Sequence, residues 1–224
     1  MLSLAEKLML LALHDEKGSV VFSASSALQY GLAGALILDL FFQNKITLAE
    51  KNIRVIDATP TNDPLLDQVL ALIHSSEKQK DSKHWIYKID RKVKGIKNQI
   101  TDALVQKEIL RREEHRLLWV FHYKRYPTRN ISPEQEIRQR IHHIVLMNHS
   151  PDETDRALIS LMKACSLINE VFPKEQRKQA KKRIKEIAED EKIGEAVSAI
   201  VAEITAAVTI AVIAATSAST TASS

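Results

Sequence analysis

Arginine and histidine side chains lie on both flanks of one predicted amphipathic helix, which covers residues 133–147. Isoleucines repeat at helical spacing along its apolar stripe, at Ile137, Ile141 and Ile144. Arg140 and His143 lie along one flank of the stripe, and Arg138 and His142 lie along the other. Because Arg140 and His143 are spaced i, i+3, their cationic heads can converge on one anion. The pattern is typical of a phosphate site and equally of a solvated helix face, and both interpretations stay open.

Further cations precede this helix and make the middle of the chain strongly basic. Arg125 and Arg129 lie in the segment that leads into the helix. Residues 78–140 carry seventeen Lys or Arg against eight Asp or Glu, a net charge of +9, whereas residues 1–77 carry −4 and residues 141–224 carry −1. A basic middle predicts an anionic partner, either phospholipid or nucleic acid. Solvated helix faces would give the same charge count.

Sequence signatures of catalysis and of metal binding are missing. The sequence contains no G-x-S-x-G, Walker, G-x-G-x-x-G or H-E-x-x-H motif. His142 and His143 are adjacent and project about 100° apart on a helix, so they do not readily share an ion with His149 and Asp152. The sole cysteine, Cys165, lies in an apolar run and is predicted to be a core residue. We therefore predict a protein that is not an enzyme and that holds no metal ion or cofactor.

Helix-start signals and periodic apolar residues predict a mainly α fold. Ser3 with Glu6 forms a capping box, and Asp63 followed by Pro64 forms an N-cap. Three further helix starts are predicted at Ser132, Ser150 and Pro173. The low content of Gly and Pro leaves few breaks and favours long helices.

Two short β-hairpins interrupt the predicted helices. Their strands cover residues 46–48, 53–56, 109–110 and 117–121, paired in that order. Together these elements predict a single compact helical domain over residues 1–215, with a buried helix core. The tail, residues 216–224, is rich in Ser, Thr and Ala and is predicted to be disordered.

Two of the predicted helices have unusual compositions. The helix over residues 25–42 contains Gly31 and Gly34. A glycine inside a helix costs ~1 kcal/mol relative to alanine, so we predict that both permit close packing. The apolar segment 193–215 approaches the length of a membrane span, but Glu203 interrupts it. We predict that this segment is buried against the rest of the domain.

Short motifs in a fixed order resemble those of the Golgi phosphoprotein 3 family. They are S-L-A-E at 3–6, L-L-A-L-H-D-E-K-G at 10–18, G-L-A-G-A-L-I-L-D-L at 31–40, D-P-L-L-D at 63–67, I-R-Q-R-I at 137–141, D-R-A-L at 155–158 and A-K-K-R-I at 180–184. The likeness extends to about residue 215. Each motif alone is weak, and the shared order and spacing of the motifs make the resemblance specific.

The resemblance implies a mainly helical domain that binds phosphatidylinositol 4-phosphate and sits peripherally on membranes. In eukaryotic members a tryptophan, two arginines and a further basic residue hold the headgroup. The tryptophan position corresponds to Ala24 and the first arginine position to Ala33, so both residues are replaced here. Arg140 keeps the second arginine, and His143 stands at the further basic position. A family hairpin that serves oligomerisation and membrane contact would fall at residues 148–154.

These observations lead to one functional hypothesis and two alternatives. We predict a cytoplasmic adaptor, peripheral on the membrane, that binds anionic phospholipid headgroups, with phosphatidylinositol 4-phosphate as the family-implied ligand. The predicted headgroup-binding residues are Arg140, His143, Arg138, Arg129 and Arg125. The first alternative is a protein-interaction scaffold that keeps the fold and has lost lipid binding. Besides lipid, the predicted partners are proteins and a second copy of the chain. A nucleic-acid reader is disfavoured, because no aromatic stacking residues are interleaved with the cations.

Overall fold

A computed structural model describes residues 1–117, 121–189 and 195–221 of the chain. Within these ranges the α-helices are α1 (Leu4–Leu11), α2 (Leu28–Phe42), α3 (Pro64–His74), α4 (Ser82–Lys92), α5 (Ile96–Gln106), α6 (Ser132–Leu146), α7 (Glu153–Ala164), α8 (Ile168–Val171), α9 (Arg177–Glu189) and α10 (Glu195–Thr221). The strands are β1 (Ile46–Ala49), β2 (Asn52–Val55), β3 (Lys80–Asp81), β4 (Glu113–Leu117) and β5 (Phe121–Arg125). The prediction of a mainly α fold with small β elements is confirmed.

Helix α2 lies at the centre of the fold because its sequence is apolar on nearly every side. All of its residues from 31 to 40 are buried. Helices α1, α4, α7 and α10 pack around it. A helix that is apolar all round is stable in a core and unstable at a surface. Helix α2 therefore forms the support against which the other helices are held.

The two glycines of α2 lie where neighbouring segments come closest to its backbone. A Cβ atom at Gly31 would overlap the sulfur of Cys165, and one at Gly34 would come within 3.0 Å of Ile204 and Val208 on α10. The prediction that these glycines permit close packing is confirmed. Cys165 is fully buried, as predicted for a core residue, and burial raises the pKa of its thiol to about 12.

Helix α1 begins at the predicted capping box, which is confirmed. Glu6 N donates to Ser3 Oγ at 3.1 Å, and Ser3 N donates to Glu6 Oε2 at 2.9 Å. Two more N–H groups of the first turn, those of Leu4 and Ala5, donate to the carboxylate of Asp39 on α2 at 2.8 and 3.1 Å. Burial raises the pKa of Asp39 to about 6 even though these hydrogen bonds oppose the rise. The carboxylate ties α1 to the core helix.

The first predicted hairpin is confirmed, and the fold adds a third strand to it. β1 and β2 pair antiparallel with Ile46 opposite Val55. The short strand β3 then pairs with the other edge of β2, with Ile53 opposite Lys80. The result is a three-stranded sheet in the order β1-β2-β3.

The second predicted hairpin is wrong in its position. β4 pairs with β5, with Glu113 opposite Arg125, so the two strands lie four residues or more beyond the predicted start at 109. Residues 118–120, part of the predicted second strand, lie outside the described residues. Ile109 and Leu110 are instead buried where α5 ends, and Leu110 bridges to Thr128. Two adjacent apolar residues are typical of a strand, but here they are buried in the core after α5.

Of the three further helix starts, that of α6 at Ser132 is confirmed, although its N-cap is one residue earlier than predicted, and the other two are displaced. Helix α6 has Ile131 at its N-cap, and Asn130 Oδ1 accepts a hydrogen bond from Ser132 N at 3.1 Å. Helix α7 is capped by Asp152 in a capping box with Asp155, two residues after Ser150. Helix α9 begins at Arg177, four residues after Pro173. In α6 and α7 a nearby Asn or Asp side chain competes successfully with serine for the exposed N–H groups, since all three residue types cap helices well.

The C-terminal apolar segment forms α10, which packs against α2, α4 and α7. Its inward residues are buried, and they include Ile200, Ile204, Val208 and Ala211. The prediction of a packed helix is therefore confirmed. The helix continues past residue 215 to Thr221, and residues 222–224 lie outside the described residues.

None of the helices in the described ranges combines the length and the hydropathy needed to cross a bilayer.

Candidate functional site

Helix α6 presents its cations to the surface because its isoleucine stripe is buried. Ile137, Ile141 and Ile144 are 8%, 2% and 0% exposed, as predicted for the inner face. The helix packs on α1 and α9. This packing fixes Arg140 and His143 on one flank of the helix and Arg138 on the other.

Arg140 is held by an acidic residue from the next helix. Its Nε and Nη2 atoms donate to Asp155 Oδ2 at 3.1 and 2.6 Å, and Nη2 also lies 3.5 Å from the carbonyl oxygen of Ser150. The same Asp155 oxygen accepts from Asp152 N at 3.1 Å, so the capping box of α7 orients the arginine. The pairing raises the pKa of Arg140 further above its ordinary value. Its Nη1 group makes no hydrogen bond within the described part of the chain.

His143 lies against the loop that joins α6 to α7, residues 147–152. Its ring centroid lies 5.2 Å from that of His149 and 6.4 Å from that of His142. The backbone N–H of His149 donates to the carbonyl oxygen of His143 at 3.1 Å, and Asn148 adopts a left-handed conformation that lets the loop turn back. The structure thus places His143 and Arg140 beside the same loop, which we call the 147–152 loop.

Arg138 lies on the opposite flank and is engaged in a largely buried ion pair. Its Nε atom donates to Glu134 Oε1 at 2.7 Å, and its Nη1 atom donates to the carbonyl oxygen of Glu170 at 3.1 Å. The side chain of Glu134 is 2% exposed. Burial raises the pKa of Glu134 to about 7; Asp15 adds to the rise, and Arg138 opposes it. These contacts join α6 to α8, and Arg138 serves the fold through them.

The other two predicted arginines belong to a different part of the surface. Arg129 forms an ion pair with Glu108, just after α5, at 3.2 Å. Arg125 lies in β5 directly opposite Glu113 of β4. The structure therefore associates both residues with the β4–β5 hairpin and the end of α5, while the 147–152 loop contacts Arg140 and His143.

Ala24 and Ala33, the positions that the resemblance assigns to the family's tryptophan and first arginine, are both buried. Each has 0% exposure, Ala24 at the end of a short 3₁₀ helix and Ala33 within α2. A large side chain at either position would displace core atoms. Of the four positions that the resemblance assigns to the headgroup, those of Arg140 and His143 are therefore the two that reach the surface.

The hairpin implied for residues 148–154 is not formed. The structure describes all of these residues, and they consist of the 147–152 loop followed by the start of α7. The connection is too short for two paired strands, because Pro151 and the Asp152 cap immediately begin the next helix. The interpretation of this stretch as an oligomerisation hairpin is therefore wrong.

Sequence reasoning did not identify the partners that complete the site, Asp155 and His149. Asp155 is fifteen positions away from Arg140, and only the fold brings them together. The capping box formed by Asp152 and Asp155 was a local signal that could have located the start of α7 and the carboxylate beside it.

Helix α9 carries a second cationic surface. Five lysines are exposed along one side of the helix and the turn before it, and we call them the lysine face: Lys174, Lys178, Lys181, Lys182 and Lys185. Their spacing places them within one side of a helix of 3.6 residues per turn. Residues 174–189 contain seven Lys or Arg and three Asp or Glu. Helix α9 packs on α6 and α7, so this surface adjoins the helices that carry Arg140 and the 147–152 loop.

Within the ranges that the structure describes, no group of three or more His, Cys, Asp or Glu residues is placed to hold a metal ion.

The fold and the site together define a mainly helical protein with a cationic flank on α6 that meets a short interhelical loop. The chain belongs to the Golgi phosphoprotein 3 family, since the sequence model of that family matches residues 4–204.

Two relatives have the same name, vacuolar protein sorting-associated protein 74. The chain is 26% identical over 194 residues to the Schizosaccharomyces pombe protein. The matched region covers 74% of this chain and 57% of that protein. It is 25% identical over 160 residues to the Eremothecium gossypii protein. This second matched region covers 62% of this chain and 48% of that protein. The chain therefore spans about half the length of the curated relatives it matches.

Proposed function

We propose that the chain is a peripheral membrane-associated adaptor that binds anionic phospholipid headgroups, with phosphatidylinositol 4-phosphate as the ligand. The observation that carries the proposal is the position of Arg140 and His143, which lie beside the same loop. The names of the family and of the relatives, which refer to the Golgi and to vacuolar protein sorting, support an adaptor role in membrane traffic. We place the protein on the cytoplasmic face of a membrane.

Asp155 prepares Arg140 for an anion by fixing the direction of its guanidinium. One edge of the guanidinium, Nε and Nη2, is occupied by Asp155. The Nη1 N–H groups remain for phosphate oxygens, and charge-assisted hydrogen bonds of this kind are roughly twice as strong as neutral ones. A side chain that is already ordered loses less conformational entropy when the ligand binds.

Two histidines lie beside Arg140 and the 147–152 loop and can add charge there. The ring centroids of His143 and His149 are 5.2 Å apart. Histidine side chains gain their charge between about pH 5 and pH 8, and an adjacent anion favours the charged form. Headgroup binding should therefore strengthen as the pH falls through this range.

A protein-interaction scaffold is the second candidate, and the ion pairs of the basic surface favour it. Arg138 is paired with Glu134 and Arg129 with Glu108, while Arg140 shares its charge with Asp155. A surface whose cations already have acidic partners attracts anionic lipid less strongly. In that case the partners would be proteins or a second copy of the chain.

The decisive experiment is co-sedimentation with vesicles of phosphatidylcholine containing phosphatidylinositol 4-phosphate or phosphatidylserine. Arg140→Ala should weaken binding about tenfold, the change expected when hydrogen bonds to a charged group are lost. Arg129→Ala is the matched control, because it removes one exposed cation from the other region. Equal losses in both variants would indicate a response to net charge alone. Unchanged binding by folded Arg140→Ala, or displacement of the lipid by an oligonucleotide, would contradict the proposal.

The same assay tests the histidines when it is repeated between about pH 6 and pH 8. Wild-type binding should decline as the pH rises, and His143→Ala should flatten that decline. His74→Ala, which removes an exposed histidine at the end of α3, should leave the pH response unchanged. A response that is equally steep in His143→Ala would exclude this histidine from the site.

A further inference from the structure

A largely apolar cleft of about 510 Å³ runs between α7, α9 and α10. Glu153, directly after the 147–152 loop, lines one end of it, and the loop residues themselves do not line it. Its volume lies within the range of about 300–1,000 Å³ that is typical of small-molecule sites. One wall follows α7 from Arg156 to Ala164, a length of about 12 Å at the rise of an α-helix. The opposite wall is α10, from Val201 to Ile213. The shape suits an extended alkyl chain.

Four hydroxyl-bearing residues line the cleft, Ser160, Ser166, Thr205 and Thr209, and the two threonines use their protons within α10. Thr205 Oγ1 donates to the carbonyl oxygen of Val201 at 2.6 Å, and Thr209 Oγ1 donates to that of Thr205 at 2.9 Å. Both hydroxyl protons are therefore used within α10 itself. Ile213 lies at the rim of the cleft and is 59% exposed, so it adds apolar surface at the opening.

The cleft has a cation near each end of its α7 wall, Arg156 at one end and Lys163 at the other. The Arg156 end is the one that adjoins α9. Arg156 is 8% exposed, and its Nη1 atom donates to the carbonyl oxygen of Ile187 on α9 at 2.9 Å. This bond places the end of α9 at the same end of the cleft as Arg156. Ala188 also lines the cleft, and it lies three residues after Lys185, so the lysine face leads directly to this lip. Glu153 is the acidic residue that lines the same end.

We propose that this cleft binds a single-chain anionic amphiphile, such as a long-chain fatty acid. The alkyl chain lies along α7 and α10, where burial of apolar surface stabilises it. The acid group lies at the Arg156 end, where it meets Arg156 and the last lysines of the lysine face. A second copy of the chain fits less well, because a symmetric pairing across this lip would bring two lysine faces together.

The test is a binding titration with oleate in solution, without vesicles, followed by the intensity of a displaced fluorescent fatty acid. Ala206→Trp fills the cleft from an exposed position on α10, so the core is not disturbed. Ala214→Trp is the matched control, since Ala214 is exposed on the same helix and does not line the cleft. Oleyl alcohol tests the need for the anionic group.

We expect one oleate per chain, about tenfold weaker binding in Ala206→Trp, and no change in Ala214→Trp. Oleyl alcohol should bind more weakly than oleate. Oleate binding that Ala206→Trp leaves unchanged would overturn the proposal, as would equal binding of the alcohol. A dimer that Ala206→Trp dissociates would identify a second copy as the occupant and would also overturn it. Arg140→Ala should bind oleate normally, so this result is independent of the headgroup site.

Discussion

The arginines of α6 and the lysines of α9 have the same charge and different surroundings. Arg138 and Arg140 each have a carboxylate oxygen within 2.7 Å. The lysine face is exposed and lies in a segment where Lys and Arg outnumber Asp and Glu by seven to three. A paired arginine is oriented and partly neutralised, whereas exposed cations attract anions from about 10 Å away at 0.1 M salt. The geometry of α6 therefore suits selection of a headgroup, and that of α9 suits attraction to an anionic surface.

The comparison shows that the number of cations in a segment does not identify a recognition site. What matters is which acidic residues the fold brings to each cation. Asp155 leaves one side of Arg140 available, while Glu134 and the Glu170 carbonyl together hold Arg138 in the protein. Two arginines that are two residues apart on one helix thus have different roles.

The largest expected effect separates the buried pair of α6 from an exposed pair. Arg138→Ala would leave the carboxylate of Glu134, 2% exposed, without its cation. Loss of one partner from a buried ion pair costs about 3 kcal/mol of unfolding free energy. Arg129→Ala breaks a pair in which both side chains are more than half exposed, and such pairs contribute below about 1 kcal/mol. Urea unfolding at pH 8, where Glu134 is ionised, measures both variants. Equal losses would mean that burial does not distinguish the two pairs.

A second prediction tests whether α9 attracts membranes. Each Lys or Arg near an anionic bilayer contributes about 1 kcal/mol. The double variant Lys181→Glu/Lys182→Glu should therefore weaken binding to phosphatidylserine vesicles by about 2 kcal/mol or more, roughly thirtyfold. The matched control is Lys92→Glu/Lys94→Glu, which makes the same change of net charge at exposed positions in and just after α4.

Co-sedimentation at low and high salt distinguishes the outcomes. The effect of the α9 variant should shrink as salt is added, because exposed charges are screened. If the control variant loses as much binding as the α9 variant, net charge decides binding and the lysine face has no special role.

Elements that depend on local sequence were predictable. The capping box at Ser3 and Glu6, the Asp63 cap and the apolar run of α2 each contain their own signal, and the structure has all three. The elements that the structure places elsewhere were those whose local sequence fits more than one start position. The apolar pair Ile109 and Leu110 resembles a strand, yet the paired strands begin at Glu113 and Phe121.

The candidate site was only partly predictable, because its geometry depends on contacts between distant residues. Periodicity located Arg140 and His143 on one flank of α6, and the buried isoleucines confirm the orientation of the helix. The pairing of Arg140 with Asp155 required the packing of α7 beside α6. The burial of Ala33 likewise depends on α2 being surrounded on all sides. The roles of the predicted headgroup residues and the domain boundary at residue 215 stay predictions.

The smallest expected effect concerns the pH dependence of the free energy of unfolding. Substitutions at the buried pair of α6 should change this dependence, and substitutions on the lysine face of α9 should not. Burial raises the pKa of Glu134 to about 7 and that of Asp39 to about 6. In an unfolded chain these groups titrate at about 4.3 and 3.9. Between the unfolded and folded values the native state holds protons that the unfolded state has released. The contribution of these two groups to the free energy of unfolding should therefore be complete below about pH 4 and decline as the pH rises to about 7.

Glu134→Gln tests this reasoning, because a neutral amide mimics the protonated acid and cannot ionise. The variant should lose part of the decline, so that its stability relative to the wild type rises by about 1–3 kcal/mol between pH 5 and pH 8. Lys181→Gln, on the exposed face of α9, should leave the slope unchanged, because it removes no buried titrating group. Urea unfolding at several pH values measures each slope. If Glu134→Gln declines as steeply as the wild type, Glu134 is ionised throughout this range, and the pH response must arise from Asp39 or the histidines.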